Sequence, residues 1–225
     1  MPLPLRSRFS ATICIGALVF SSTACSTPTR VTDVWKDPSY AGGPLRTVVV
    51  FGGRMQETNR RTVEDGFVNA LTAHGVRATP SYKLFPGTLP AKEEARAALQ
   101  QAGVEAALVS SLRGVTERAT YVEGGPGFWG GFYGPGWGGP AYYPGYVVTE
   151  PIVTFETSMW DLREGGRDGK VIWSANTQTE NPSSGKDFVS SLIKEVVPSM
   201  VKAGVLPPTL PGTQVSYAPS LLHSQ

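Results

Sequence analysis

The residue pattern predicts an α/β (α+β) domain: a mixed five-stranded sheet with about three helices, in the order β-α-β-α-β, a Gly/aromatic loop, then β-β-α. Three observations carry this. A β-branched run, Thr47-Val48-Val49-Val50, stops at Gly52-Gly53, as a strand buried on both faces does. Two stretches of helical periodicity follow, each stopped by a glycine, and each leads into a new apolar run. Two late alternating runs are joined by Gly165-Gly166 and Asp168-Gly169, a hairpin signature. The βα crossovers require a partly parallel sheet, and the hairpin adds antiparallel strands.

In chain order, residues 46–51 form the first predicted strand. A helix spans about 58–74, where Val63, Phe67, Ala70, Leu71 and His74 share one face. Thr58 or Asn59 suits its N-cap, and Gly75 its C′ position. Residues 76–82 return as a strand. Pro90, Glu93 and Glu94 open a second helix that Gly103 stops. A strand covers 104–112, extending toward Glu117. Residues 147–162 form a long strand with Val153, Phe155 and Met159 on one face, and Pro151 marks an edge or a bulge. Residues 171–179 pair back with Val171, Trp173 and Ala175 inward. The last helix, about 186–203, buries Phe188, Leu192, Val196 and Met200; Pro198 should kink or split it, and Gly204 ends it.

Ahead of this domain, Arg6 and Arg8 precede an apolar run from Phe9 to Phe20, and Ser21-Ser22-Thr23-Ala24 then leads to Cys25. The run is shorter than the roughly 20 residues of a membrane span, and its three-part layout is that of a secretory signal. A Cys after small residues resembles the lipobox of bacterial lipoproteins, although Ser22 stands where that box usually has Leu. The expected organisation is a signal peptide 1–24, a lipidated tether 25–45, one α/β domain 46–206 with an insertion at 124–146, and a disordered tail 207–225. Within the tether, Trp35 is expected to fold back onto the domain. Ser26, rather than Asp, after Cys25 resembles the outer-membrane sorting pattern.

Charge and cysteine usage fit that address. Losing Arg6 and Arg8 lowers Lys plus Arg from 20 to 18, equal to the 18 acids, so the mature chain has no basic field for nucleic acid. Cys14 leaves with the signal. Cys25 is then a lone thiol in an oxidising compartment unless it is the acylation point.

Residues 124–146 hold ten Gly, four Pro and eight aromatics: Phe128, Trp129, Phe132, Tyr133, Trp137, Tyr142, Tyr143 and Tyr146. That Gly and Pro density argues against a regular element, leaving rings that could stack on sugars, lipid headgroups or a partner. The same stretch could equally be a tolerated surface extension. It contains two G-x-G-x-x-G matches, at 125–130 and 134–139, but Pro at the second position and the lack of a following helix reject a dinucleotide fingerprint.

Other chemistry is sparse. The two histidines, His74 and His223, with no Cys pair, make no zinc site, and no cofactor is expected. No G-x-S-x-G is present. Asn59-Arg60-Arg61 at a helix start could hold an anion. The plainer reading pairs Arg61 with Glu64 and Asp65 on a solvated face.

The phrases Trp35-Lys36-Asp37-Pro38, Asn59-Arg60-Arg61 with Glu64-Asp65, Gly75-Val76 with Ser81-Tyr82, and Ile172-Trp173-Ser174-Ala175 resemble a family of uncharacterised bacterial lipoproteins over most of residues 31–206. The element order is also similar to the N-terminal domain of the translocation protein TolB and to lipoprotein activators of peptidoglycan synthases. Neither resemblance supplies a catalytic residue. The expectation is a non-enzymatic outer-membrane lipoprotein, facing the periplasm and anchored at Cys25, that acts through protein contacts. The alternative is a glycan- or lipid-binding module using the aromatic loop.

Overall fold

The computed structural model describes residues 28–53, 55–87, 91–127, 141–164 and 169–208, with backbone only for 125–127 and 141–143. The strands are β1 (Thr29–Lys36), β2 (Thr47–Gly53), β3 (Arg77–Pro80), β4 (Ala106–Val122), β5 (Gly125–Gly127), β6 (Ala141–Tyr143), β7 (Tyr146–Asp161) and β8 (Lys170–Glu180). The helices are α1 (Glu57–Ala73), α2 (Ser81–Leu84), α3 (Lys92–Gln101) and α4 (Gly185–Lys202). Six strands form one mixed sheet, ordered β1-β8-β7-β4-β2-β3, and β5 pairs with β6 separately. β2 is parallel to β3 and β4, whereas β4, β7, β8 and β1 pair antiparallel in turn.

The expected α+β class and mixed sheet are present, with six strands rather than five and four helices rather than three. The additional strand is β1, which lies in the segment expected as a tether. It pairs with β8 from Thr29↔Thr179 to Lys36↔Trp173, with a register shift between Val31 and Asp33. That shift breaks the alternation by which a strand is recognised, so Val31 and Val34 do not repeat at period two. Among the described residues the sheet therefore begins at Thr29. Trp35 folds back onto the domain as expected, its backbone pairing opposite Ser174, with the residue 46% exposed. The additional helix, α2, replaces the end of the predicted 76–82 strand. The short β5 and β6 are regular pairing inside a stretch whose composition argued against it.

Packing follows the sequence periodicities. Val48, Val50, Ala106, Leu108, Phe155 and Met159 face α1 and α4 in one core, with Phe67, Leu71, Leu192 and Met200 fully buried above them. Val49 and Ala107 are buried outside that cluster, as strand alternation requires, and Phe51 stacks on Phe85 at 6.2 Å. Helices α1 and α4 meet at Gly66, where an added Cβ would lie 2.5 Å from Val189 Cγ1 and 3.0 Å from Ile193 Cδ1. α4 runs through Pro198 as one helix; the expected split does not occur. Gly75, Gly103 and Gly204 follow α1, α3 and α4 with positive φ, as expected of C′ glycines.

Candidate functional site

Strand lengths, not loops, shape the molecule's most prominent surface. β2 pairs with β4 only as far as Ser111, and β8 pairs with β7 only from Ile152 onward. Beyond those limits β4 and β7 continue together, Glu117↔Pro151 to Val122↔Tyr146, as a two-stranded arm. Pro151 sits where β8 pairing ends, and its carbonyl accepts from Asn181 N–H at 2.8 Å, so the edge expectation for this proline holds. Arg118 is opposite Glu150 in the arm and donates to Glu180, which also pairs with Arg30. Farther out the rungs carry no charge: Ala119↔Thr149, Thr120↔Val148, Tyr121↔Val147 and Val122↔Tyr146. Tyr121, Tyr146 and Val147 are each at least 60% exposed.

At the root of the arm, on the helical side, lies a groove of about 330 Å³. Leu112, Val115, Val153 and Phe155 form its floor, and Met55, Val63, Phe188 and Val189 its walls from the first turns of α1 and α4. Phe155 and Phe188 meet at 4.8 Å between ring centres. Asn59, Thr62 and Ser184 supply neutral polar groups, and no ionisable side chain among the described residues lines the groove. Ser184 already accepts from Asp187 N–H, so the start of α4 is capped within the chain. Such a lining binds apolar groups and offers no general acid or base.

Cys25, Phe128, Trp129, Phe132, Tyr133 and Trp137 lie outside the described residues; Tyr142 and Tyr143 are placed as backbone in β6. Tyr121 and Val122 in the arm and Val115 at the groove were not singled out from the sequence, whereas Val153 and Phe188, which also line the groove, pack against or within the core as their periodicities predict. Residues 116–122 are exposed throughout and show no apolar alternation, so the length of β4 left little signal in the sequence.

The Asn59-Arg60-Arg61 anion reading does not assemble. Arg60 and Arg61 both pair with Glu57, at 2.9 and 2.8 Å, and Arg61 lies over the Tyr82 ring at 4.6 Å. The expected Arg61 pairing with Glu64 and Asp65 is also corrected. Glu64 is completely buried and accepts from Ser81 Oγ at 2.6 Å, Gly52 N–H at 3.0 Å and Tyr82 N–H at 3.2 Å. Asp65 accepts from the Tyr82 hydroxyl at 2.6 Å, a bond that with burial pushes the phenol up to about 12. His74 caps α1 as expected, buried, with Nδ1 3.2 Å from the Pro207 carbonyl.

The opposite end of the sheet holds two ion pairs. Asp37 takes Lys170 Nζ at 2.5 Å and both the N–H and hydroxyl of Ser39. These contacts, led by Lys170, hold its carboxyl down at about 2. Burial works against ionisation of Asp161, yet hydrogen bonds from Arg163 outweigh it and keep the carboxyl below its ordinary range. Burial and the Asp161 charge push the nearby Tyr40 phenol up. Asp37 and Asp161 are each satisfied by their neighbours, so this end reads as structure. Among the described residues no group of three or more metal-ligating side chains converges, and no helix is long and apolar enough to cross a membrane.

No family model and no curated protein matches the chain. Solved structures similar to it include the PelC dodecamer from Paraburkholderia phytofirmans, at 17% identity over 79% of this chain and 99% of that one, TM-score 0.42. A DUF4136 family protein from Bacteroides thetaiotaomicron aligns at 15% identity over 80% of this chain and 97% of its own, TM-score 0.38. A lipoprotein from Neisseria meningitidis aligns at 14% identity over 70% and 99%, TM-score 0.37. These likenesses are compatible with a bacterial lipoprotein; at such identities and scores none carries an inference about role.

Proposed function

We propose that this chain is a membrane-tethered domain of the bacterial envelope that works by holding a protein partner and not by turnover. The observation that supports it most is the uncharged groove between α1 and α4, open at the arm's root and rimmed by Asn59, Thr62 and Ser184. Apolar walls with short neutral donors and acceptors suit an apolar segment of another protein, whose side chains fill the groove and whose backbone bonds the rim. The signal-like start and Cys25 support an acyl tether, and Ser26 supports the outer membrane, periplasmic side, as its destination. The likeness in element order to TolB and to peptidoglycan-synthase activators is in keeping with an adaptor role.

The test places a charge in the groove. Val153→Glu should abolish photo-crosslinking between a benzoylphenylalanine at Thr62 and its envelope partner, while circular dichroism stays unchanged. An unaltered crosslink in the folded variant would contradict the groove as the binding surface.

A further inference from the structure

The register of the sheet places the start of β1 and the root of the arm at the same end: Thr29 pairs with Thr179, Thr179 with Val153, and Val153 with Val115. Thr29 is fixed there, its hydroxyl 2.8 Å from that of Thr179 and 2.7 Å from that of Ser191 on α4. From this shared end we infer that the tip of the arm, Tyr121, Val122, Tyr146 and Val147, rests in the headgroup region of the bilayer that holds Cys25. The inference rests on the acyl tether proposed above.

The reach of the two segments decides it. Cys25 precedes Thr29 by four residues, which span at most about 14 Å fully extended. Val122 lies seven residues beyond Val115, the β4 residue level with Thr29, about 23 Å at strand rise. The leash is thus shorter than the arm beside it. A domain held at Thr29 by so short a connection has the bilayer within reach of the arm tip.

The chemistry of the tip also favours lipid over a protein groove. Tyr121 and Val147 form one rung and Val122 and Tyr146 the next, so they point to opposite faces of the ribbon. The tip is therefore apolar on both sides, at 63%, 60%, 37% and 61% exposure respectively. A partner's groove covers one face of a ribbon, whereas an interface surrounds it. The four uncharged rungs span about 10 Å from first to last, the depth of an interfacial segment. Arg118 and Glu150 mark the limit toward the domain. Tyrosine is the residue suited to that depth, with its ring among acyl carbons and its hydroxyl in water.

The test uses the mature protein purified in native form and reconstituted into vesicles of phosphatidylethanolamine and phosphatidylglycerol. Once Cys25 is acylated, Val122→Cys provides the single free thiol for an environment-sensitive fluorophore. Gln101→Cys, exposed at the far end of the sheet before β4, provides the control. The expected result is a blue shift at position 122 and loss of its intensity to headgroup-proximal nitroxide lipids, with neither change at position 101. Intact mass is read on the same samples. An unmodified Cys25 overturns the tether, and the bilayer placement with it. An acylated protein on vesicles whose position 122 stays water-like, or shifts without lipid quenching as self-association would produce, overturns the arm contact alone.

Discussion

Glu64 shows how one buried carboxylate joins three elements. It sits on α1 yet binds the Gly52 N–H of β2 and the Ser81 hydroxyl that opens α2. Removing it strands two backbone donors and one hydroxyl in the interior, so Glu64→Ala should cost about 1–3 kcal/mol in chemical denaturation. Gln, which keeps an acceptor, should recover part of the loss. Asp37 acts at the other end of the sheet through its charge. Its folded value of about 2 lies below the ordinary 3.8, so its contribution is full above the ordinary value and is lost as pH falls through about 2. Asp37→Asn or Lys170→Met should flatten that acid limb of the stability curve; an unchanged limb would contradict the pairing. Neither contact was legible in the sequence. Helical spacing places Glu64 near Arg61, but only the tertiary position of Ser81 shows that the carboxylate points inward.

At the scale of elements, the α1–α4 contact depends on a missing side chain. Val189 and Ile193 occupy the space a Cβ at Gly66 would take, so Gly66→Val should separate the helices and destabilise by about 1–3 kcal/mol despite its better helix propensity. A neutral or stabilising result would contradict the close approach. Along β4, residues 106–111 lie between two strands and residues 115–122 pair on one side only. Amide exchange should accordingly be slow in the first part and faster toward Val122 by orders of magnitude. Helices α1, α3 and α4, the central strands and their inward residues were legible because their periodicities are regular and each of these helices ends at a glycine. β1 was not, because its register shift disrupts alternation and leaves Val34 and Trp35 partly exposed. The arm was only half legible: β4 is recognisable to Glu117 and β7 from Val147, while residues 118–122 carry no regular pattern and Tyr146 falls in the Gly-rich stretch. The groove could not be read at all, since Val153 and Phe188 are core residues and only the juxtaposition of strand ends and helix starts shows that they also line a surface groove.

For the whole molecule, three features converge on one end: the start of β1, the open groove and the root of the arm. The Asp37 and Asp161 ion pairs close the other end. An acyl group at Cys25 would give that polarity a direction, toward the bilayer, and would leave the far end with Lys170 and Arg163 in the periplasm. Cys25→Ser should move the protein from the membrane to the soluble fraction without changing its fold, as read by fractionation and circular dichroism. The most direct test of this arrangement is mass spectrometry of the N-terminal peptide from protein purified out of native envelopes. The account predicts a chain that begins at Cys25 and carries diacylglycerol on its sulfur. A peptide that retains Met1, or an unmodified thiol at Cys25, would contradict it.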